Sequence, residues 1–484
     1  MLRTPARGAV NFEIVGQPSL AHIQIAILTL LNFWSLPLPI SIISSGLWLT
    51  AKRVRWYPRI FFAISMVLGT AYILAGRNGL DLHGHPIGTD FSSFWAASSL
   101  VLSGHASDAY DPAKHYVAQE AVFGNGVQYY AWLYPPPALL IVAPLGLLPY
   151  LTSLFIWLAI TGAAYIATVW RVIQRSDAIV PILCFPAVLI NMIHGQNAFL
   201  STAIVGTGLL ISDRYPFTAG VLLGMLCFKP QLAMMLAVVV VARTNWKMAL
   251  GAALSICFLA TSATLIFGVE IWQHFVSIVP LSKMWLEQGT IGFAKMQSAF
   301  SSVRLVGGEI YLAYSIQTVV TICAGILLFM IWRSPASLRL RAGATGAAIL
   351  LGTPFILDYD FVLLSLPIAA LAAEGLANDF RPYEKTALAI AWILPLISRQ
   401  ASFAFVPLSP EVVMFLLVLI WRRTAIAART KKASGLEASD LSVWSSIDTS
   451  RSLQRDRKTR LSHEPQSIAL SRGQGNDGAV RHKD

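Results

Sequence analysis

The sequence predicts an all-α polytopic membrane protein, and three observations carry that prediction. Hydrophobic residues make up 56% of the 484 residues and charged ones only 12%, against about 25% charge in a soluble domain. Apolar runs of bilayer-spanning length recur from end to end, and only helices or closed barrels satisfy their backbone groups in lipid. The runs are continuous and lack the short alternating segments of barrel strands.

The elements follow in order. Residues 1–55 hold an apolar stretch, 20–49, that is too long for the core of a signal peptide. Pro37 and Pro39 interrupt it, so it reads as one extra span or an interfacial hairpin. Lys52, Arg53 and Arg55 mark the inner side. A span near 60–76 then exits to a first external loop, 77–137, and the chain returns near 150–170 to Arg171 and Arg175.

Compact runs near 178–193, 198–212, 216–229 and 231–242 follow. At ~12–16 residues each they reach roughly 18–24 Å, short of a ~30 Å core, which suits tilted helices or half-helices lining a cavity. A span near 248–268 leads to a second external loop, 269–309, and 310–332 returns. Four further runs lie near 342–357, 361–377, 385–398 and 403–421. The core loops carry 14 Lys/Arg inside against 7 outside, giving 12 crossings, or 13 with the N-terminal stretch.

The transmembrane domain is thus expected over 56–421, with a basic tail over 422–484 holding 13 Lys/Arg and 7 Asp/Glu, a net of +6. That is half of the net charge of +12. A basic tail beside a membrane faces anionic lipid rather than nucleic acid, and its Ser, Arg, Gln and Gly content reads as disordered. Cys184, Cys227, Cys257 and Cys323 lie in apolar runs without metal-site spacing and read as small core residues.

Candidate chemistry lies in the loops expected outside. Asp90, in Gly88-Thr89-Asp90-Phe91, sits where an ionisable group at the bilayer edge is costly. Phe91–Gly104 has helical apolar spacing and reads as an interfacial helix headed by Asp90. Capping of that helix and a chemical role are both open to the carboxylate. The loop histidines, His83 and His85 among them, lack the spacing of a metal site, so no metal and no cofactor is expected. Tyr134 and Pro135–Pro137 precede a short re-entrant or interfacial helix, 138–147.

His194, Gln196, Lys229, Lys295 and Arg304 are the candidate contacts for an anionic phosphate on the same side. Lys229 has snorkelling to the interface as its alternative. Asp358, Tyr359 and Asp360, with Tyr110 and Asp111, are the candidates for sugar or acceptor binding. An external acid and external cations on a lipid-exposed scaffold fit sugar transfer from a polyprenyl phosphate. That reaction needs a base for the acceptor hydroxyl and positive charge for the departing phosphate.

These motifs, in order, resemble glycosyltransferase family 87: Gly88-Thr89-Asp90-Phe91 with Trp95, Ala97, Gly104 and Tyr110-Asp111-Pro112; Tyr134–Pro137; Pro144–Tyr150; Gly195-Gln196-Asn197; Lys229-Pro230-Gln231; Gln297-Ser298; and Asp358-Tyr359-Asp360. The resemblance runs from about 60 to 380. It implies a GT-C membrane fold and polyprenyl-phosphate sugar as donor, with mannose or a similar hexose moved to a lipid or glycan acceptor. It implies Asp90 as general base of an inverting transfer, and the Lys229 and Gln196 regions as donor pocket. The stretch to about 55 and the tail after 421 depart from the family pattern. The expected setting is a bacterial inner membrane, with the site extracytoplasmic, the tail cytoplasmic, and membrane lipids rather than nucleic acid as partners. Two other readings stand beside it: a transporter or flippase of lipid-linked saccharides, and a non-catalytic assembly protein for envelope polysaccharide.

Overall fold

The computed structural model describes residues 40–426. Among them there is no strand, only three isolated β-bridges. The helices that position the site are α1 (Ala51–Ala75), α2 (Phe91–Leu102), α3 (Pro112–Phe123), α4 (Tyr150–Ile173), α5 (Pro186–His194), α6 (Ala198–Ile211), α7 (Pro216–Gly224), α8 (Pro230–Arg243), α9 (Trp246–Phe267), α10 (Ile271–Gln288), α11 (Ala299–Leu305), α12 (Ile310–Arg333), α13 (Leu338–Leu351), α14 (Ser365–Ala377) and α15 (Glu384–Phe403). A final helix, α16, covers 409–426. Each of the twelve apolar runs read from the sequence includes helix, though the run 342–357 leaves it after Leu351.

Among the described residues, six helices are long and apolar enough to cross a membrane: α1, α4, α9, α12, the turn-plus-helix Asp358–Ala377, and α15. The pair Ser176–Leu183 and Pro186–His194, bent by 49°, would make a seventh. The rest are short, and their starts are written in proline. Pro186, Pro216 and Pro230 each open a helix at a position where the missing N–H costs nothing. Between α7 and α9, Gly220, Gly224 and Gly251 let the backbones touch. A Cβ on Gly220 would stand 2.1 Å from Met248 O, and one on Gly251 2.2 Å from Phe217 O. The middle of the bundle is α13, buried on every face and rich in Ala and Gly, so its neighbours approach closely all round.

The loops sort into two ends. At one end Asp90, His194–Asn197, Lys229, Lys295 and Asp358–Asp360 come together. At the other, Arg243 pairs with Asp213 at 2.6 Å, and Arg243 and Arg341 both lie over the Trp332 ring. Arg333 there donates to Ala242 O, and a fully buried Arg423–Glu384 pair at 2.6 Å ties α16 to α15. Each of these contacts joins loops that the charge pattern expects on the same side of the membrane.

Residues 40–49 join the second end. Tyr383 N donates to Ser44 O at 2.7 Å, and Thr386 Oγ1 to Ile43 O at 2.7 Å. The rest of the apolar stretch, 20–39, and the tail from 427 lie outside the described residues.

Two expectations need correction. The helix headed by Asp90 does not lie open along an interface: Phe91, Phe94, Ala96, Ala97 and Ser98 of α2 are buried. Trp132, itself buried, packs edge-on to Phe94, and the 137–147 segment closes another face, with Ser98 Oγ donating to Ala143 O at 2.7 Å. The cysteines are not uniformly core residues either, for Cys257 and Cys323 are exposed on the outside of α9 and α12.

Candidate active site

Asp90 closes a turn in which Gly88 takes φ +85°, and a Cβ there would stand 2.7 Å from Leu154 Cδ2. The facing break between α5 and α6 turns on Gly195, at φ +60°, where a Cβ would stand 2.5 Å from that of Phe91. No residue but glycine fits either place, because a side chain would be both strained and without space. The two bare turns bring Thr89-Asp90 onto His194–Asn197. Asn191 steadies the break by accepting from Ala198 N across it at 3.2 Å.

The Asp90 carboxylate does not cap α2, because no side-chain cap bond forms there. It is held elsewhere. Gln196 Nε2 donates to Asp90 Oδ2 at 3.0 Å, and Lys295 Nζ lies 3.8 Å from the same oxygen. Gln196 Oε1 in turn accepts from the Tyr134 hydroxyl at 3.1 Å, which fixes the amide's orientation. Thr89 Oγ1 and His194 Nδ1 are 2.7 Å apart. Asp90 is 15% exposed and Lys295 14%, so the pair is enclosed but reachable. Burial pushes the Asp90 carboxyl up, while Lys295 foremost, then His194, the Gln196 bond and Lys229, pull it down. The attractions win, leaving it below the usual carboxylate range.

Lys295 is delivered by backbone pairing. Met296 bridges Leu357, Gln297 N donates to Ile356 O at 2.8 Å, and Asp358 N donates to Lys295 O at 3.2 Å. The Asp358-Tyr359-Asp360 turn is thereby laid beside it. The Tyr359 ring forms the floor, with Lys229 Nζ 5.3 Å and Lys295 Nζ 5.8 Å from its centre and His194 edge-on at 5.9 Å.

Several assignments change here. Lys229 is not free for a phosphate. Its ammonium sits 2.6 Å from Asp360 Oδ1 and 3.3 Å from Asn197 Oδ1, with 4% of the side chain exposed. Asp360 is equally engaged, since its other oxygen accepts from Leu357 N at 3.1 Å. Asp358, Tyr359 and Asp360 are all buried and form the wall of the site rather than an open sugar-binding surface. Arg304 is not brought in at all. It donates to Gly308 O and Glu287 O, satisfying carbonyls past the end of α11 and at the end of α10. Asp111 caps α3 through Ala113 N and Lys114 N. Tyr110 is buried and donates to Tyr134 O at 3.0 Å, so it supports the site from behind.

Four residues at the site were not singled out from the sequence. Thr89, Tyr134 and Asn197 lay inside quoted motifs, but their partners are distant in the chain. The fourth is Arg399, whose Nη1 lies 3.6 Å from Asp358 Oδ2. A lone arginine near the end of an apolar run was the available signal. Next to Tyr134 and Asn197 lies an apolar pocket walled by Phe94, Trp132, Trp157 and Phe228. Among the described residues no three His, Cys, Asp or Glu side chains converge as a metal site.

A shielded but accessible carboxylate, a lysine beside it and an apolar wall next to both can deprotonate a hydroxyl and hold an anion. Against known protein families, residues 132–355 match glycosyltransferase family 87. The match takes in Tyr134, His194, Gln196, Lys229, Lys295 and Arg304, and stops short of Asp90 and of Asp358–Asp360. No curated protein and no solved structure matches the chain.

Proposed function

We propose, from the match of residues 132–355 to glycosyltransferase family 87 within an all-helical membrane protein, that the chain is a membrane glycosyltransferase and takes its sugar from a polyprenyl phosphate. The sugar is mannose or a similar hexose, the acceptor is a lipid or glycan hydroxyl, and transfer is inverting. One observation carries the reading: Asp90 forgoes capping its own helix and is held between Gln196 and Lys295.

In the reaction Asp90 takes the acceptor hydroxyl's proton while the acceptor oxygen bonds to the anomeric carbon. The bond from that carbon to the phosphate oxygen breaks, and polyprenyl phosphate leaves with one more negative charge. Charge therefore moves from Asp90 to the phosphate. A lysine beside Asp90 serves both states, since its charge is freed as the carboxylate is neutralised. Gln196 and His194 orient the base and the turn that bears it. Lys229 acts through Asp360 by holding the wall. The site faces the extracytoplasmic side of a bacterial inner membrane, and the tail is cytoplasmic.

Asp90→Asn is the test, in membranes supplied with labelled polyprenyl-phosphate sugar. Loss of a general base lowers the rate by ~10²–10⁴-fold, while the protein stays in the membrane and binds donor. Undiminished transfer by this variant would overturn the assignment. The broken helices around the buried Lys229–Asp360 pair also fit a carrier of lipid-linked saccharides. That reading wins if the wild type moves intact lipid-linked sugar between leaflets without transferring it.

A further inference from the structure

Three cations border the site, and they are not equally committed. Lys229 is 4% exposed and spent on Asp360 and Asn197. Lys295 is 14% exposed and shared between Asp90 and the Tyr359 ring. Arg399, on the last turns of α15, has 41% of its side chain exposed. Its nearest acid, Asp358, is 3.6 Å away and 3% exposed, too far for a hydrogen bond but close enough to aim the guanidinium. Asp358 spends its other oxygen on Tyr359 N at 3.0 Å. Among the described residues the five N–H donors of Arg399 meet no acceptor within hydrogen-bond distance.

An arginine at a helix end ordinarily snorkels toward water and headgroups. Arg399 instead leans on a buried carboxylate whose neighbours along the chain form the wall of the site. The Asp358 backbone is bonded to Lys295, so the two cations are carried by one paired segment and its contact. The formal charges are balanced: Asp90, Asp358 and Asp360 against Lys229, Lys295 and Arg399. A phosphate that gains charge as it leaves needs more than the one lysine that Asp90 releases.

We propose that Arg399 is a substrate-binding residue of this reaction, turning its planar fork to the phosphate of the donor lipid opposite Lys295, with Asp358 as the residue that positions it. A guanidinium can engage two phosphate oxygens at once, which a lysine cannot. The inference rests on the polyprenyl-phosphate reading above, and the test separates the two.

The experiment uses the full chain in nanodiscs of zwitterionic phosphatidylcholine and measures binding of polyprenyl phosphate and of uncharged polyprenol. Arg399→Gln is expected to lose affinity for polyprenyl phosphate by ~10-fold or more and to bind polyprenol as the wild type does. Arg399→Lys is expected to fall between them, and it carries the test if the glutamine variant fails to fold. Wild-type affinity for polyprenyl phosphate in either variant overturns the proposal. So does recovery of wild-type affinity in Asp358→Asn/Arg399→Gln, which would reduce Arg399 to a counter-ion for Asp358. So does a loss seen only in anionic-lipid nanodiscs, which would make Arg399 a contact for bulk headgroups. If the wild type itself does not prefer polyprenyl phosphate to polyprenol, the donor reading fails, not the role of Arg399 within it.

Discussion

In the proposed reaction, Lys295 is the residue on which the ionisation of Asp90 turns, lying 3.8 Å from its carboxylate. A carboxyl held below its usual range is ionised at every pH above that range, so the wild type loses its base only on strong acidification. In Lys295→Met, burial is opposed only by His194, Gln196 and Lys229, and the Asp90 carboxyl rises. The acid limb of a kcat/KM–pH profile is therefore expected to move to higher pH, with a lower plateau as charge on the phosphate goes unmatched. A profile that falls in height without moving along the pH axis would separate Lys295 from the ionisation of Asp90.

At this scale the sequence showed which residue types mattered better than it showed what each one does. Asp90, Gln196 and Lys295 were legible because a polar residue at the edge of an apolar run has few inert explanations. Arg304 met the same criterion and went to structural carbonyls instead. Lys229 was legible as costly, and the structure shows what offsets the cost, a carboxylate in a turn 131 residues away in sequence. Nothing in a single sequence links those two positions.

Among the elements, the short helices depend on that ion pair. Lys229 stands where the turn after α7 meets α8, and Asp360 stands in the turn before α14, both almost fully enclosed. Removing one partner strands the other in a medium that does not solvate it, a loss of about 3–5 kcal/mol. Lys229→Met is expected to lower the thermal unfolding midpoint in detergent, and Lys229→Met/Asp360→Leu to regain most of the loss. A double variant no better than the single one would mean that the site needs these groups for more than mutual neutralisation.

Helix starts were readable from proline positions, because proline is cheap in a first turn and costly later. The burial of α2 was not readable. Its pattern is compatible with an interface, and only the arrival of Trp132 and the 137–147 segment covers it.

For the whole molecule, the alternation of loops between two ends is the strongest consequence of the charge pattern. It predicts accessibility. In a background with Cys184, Cys227, Cys257 and Cys323 replaced, His83→Cys near the site is expected to react with an impermeant thiol reagent on intact cells. Arg214→Cys, at the opposite end, is expected to react only after permeabilisation. The reverse pattern would invert the orientation and put the reaction in the cytoplasm. The number and order of helical runs were legible because burial of the backbone in lipid leaves few alternatives. Which runs would be full spans and which halves was set by packing around α13, where small residues on every face let short helices crowd in.

The pairing of Met296 with Leu357 has one more consequence. A ribosome makes Asp90 early, Gln196 next, Lys295 later, and Asp358 and Arg399 last, so the proposed base leaves the translocon long before the lysine that lies beside it. A chain cut between the first loop and residue 295 would carry Asp90 without Lys295, and one cut between 295 and α15 would still lack Arg399. In the proposed reaction the full set of charges comes together only after residues 356–358 have paired with 295–297 and α15 has followed.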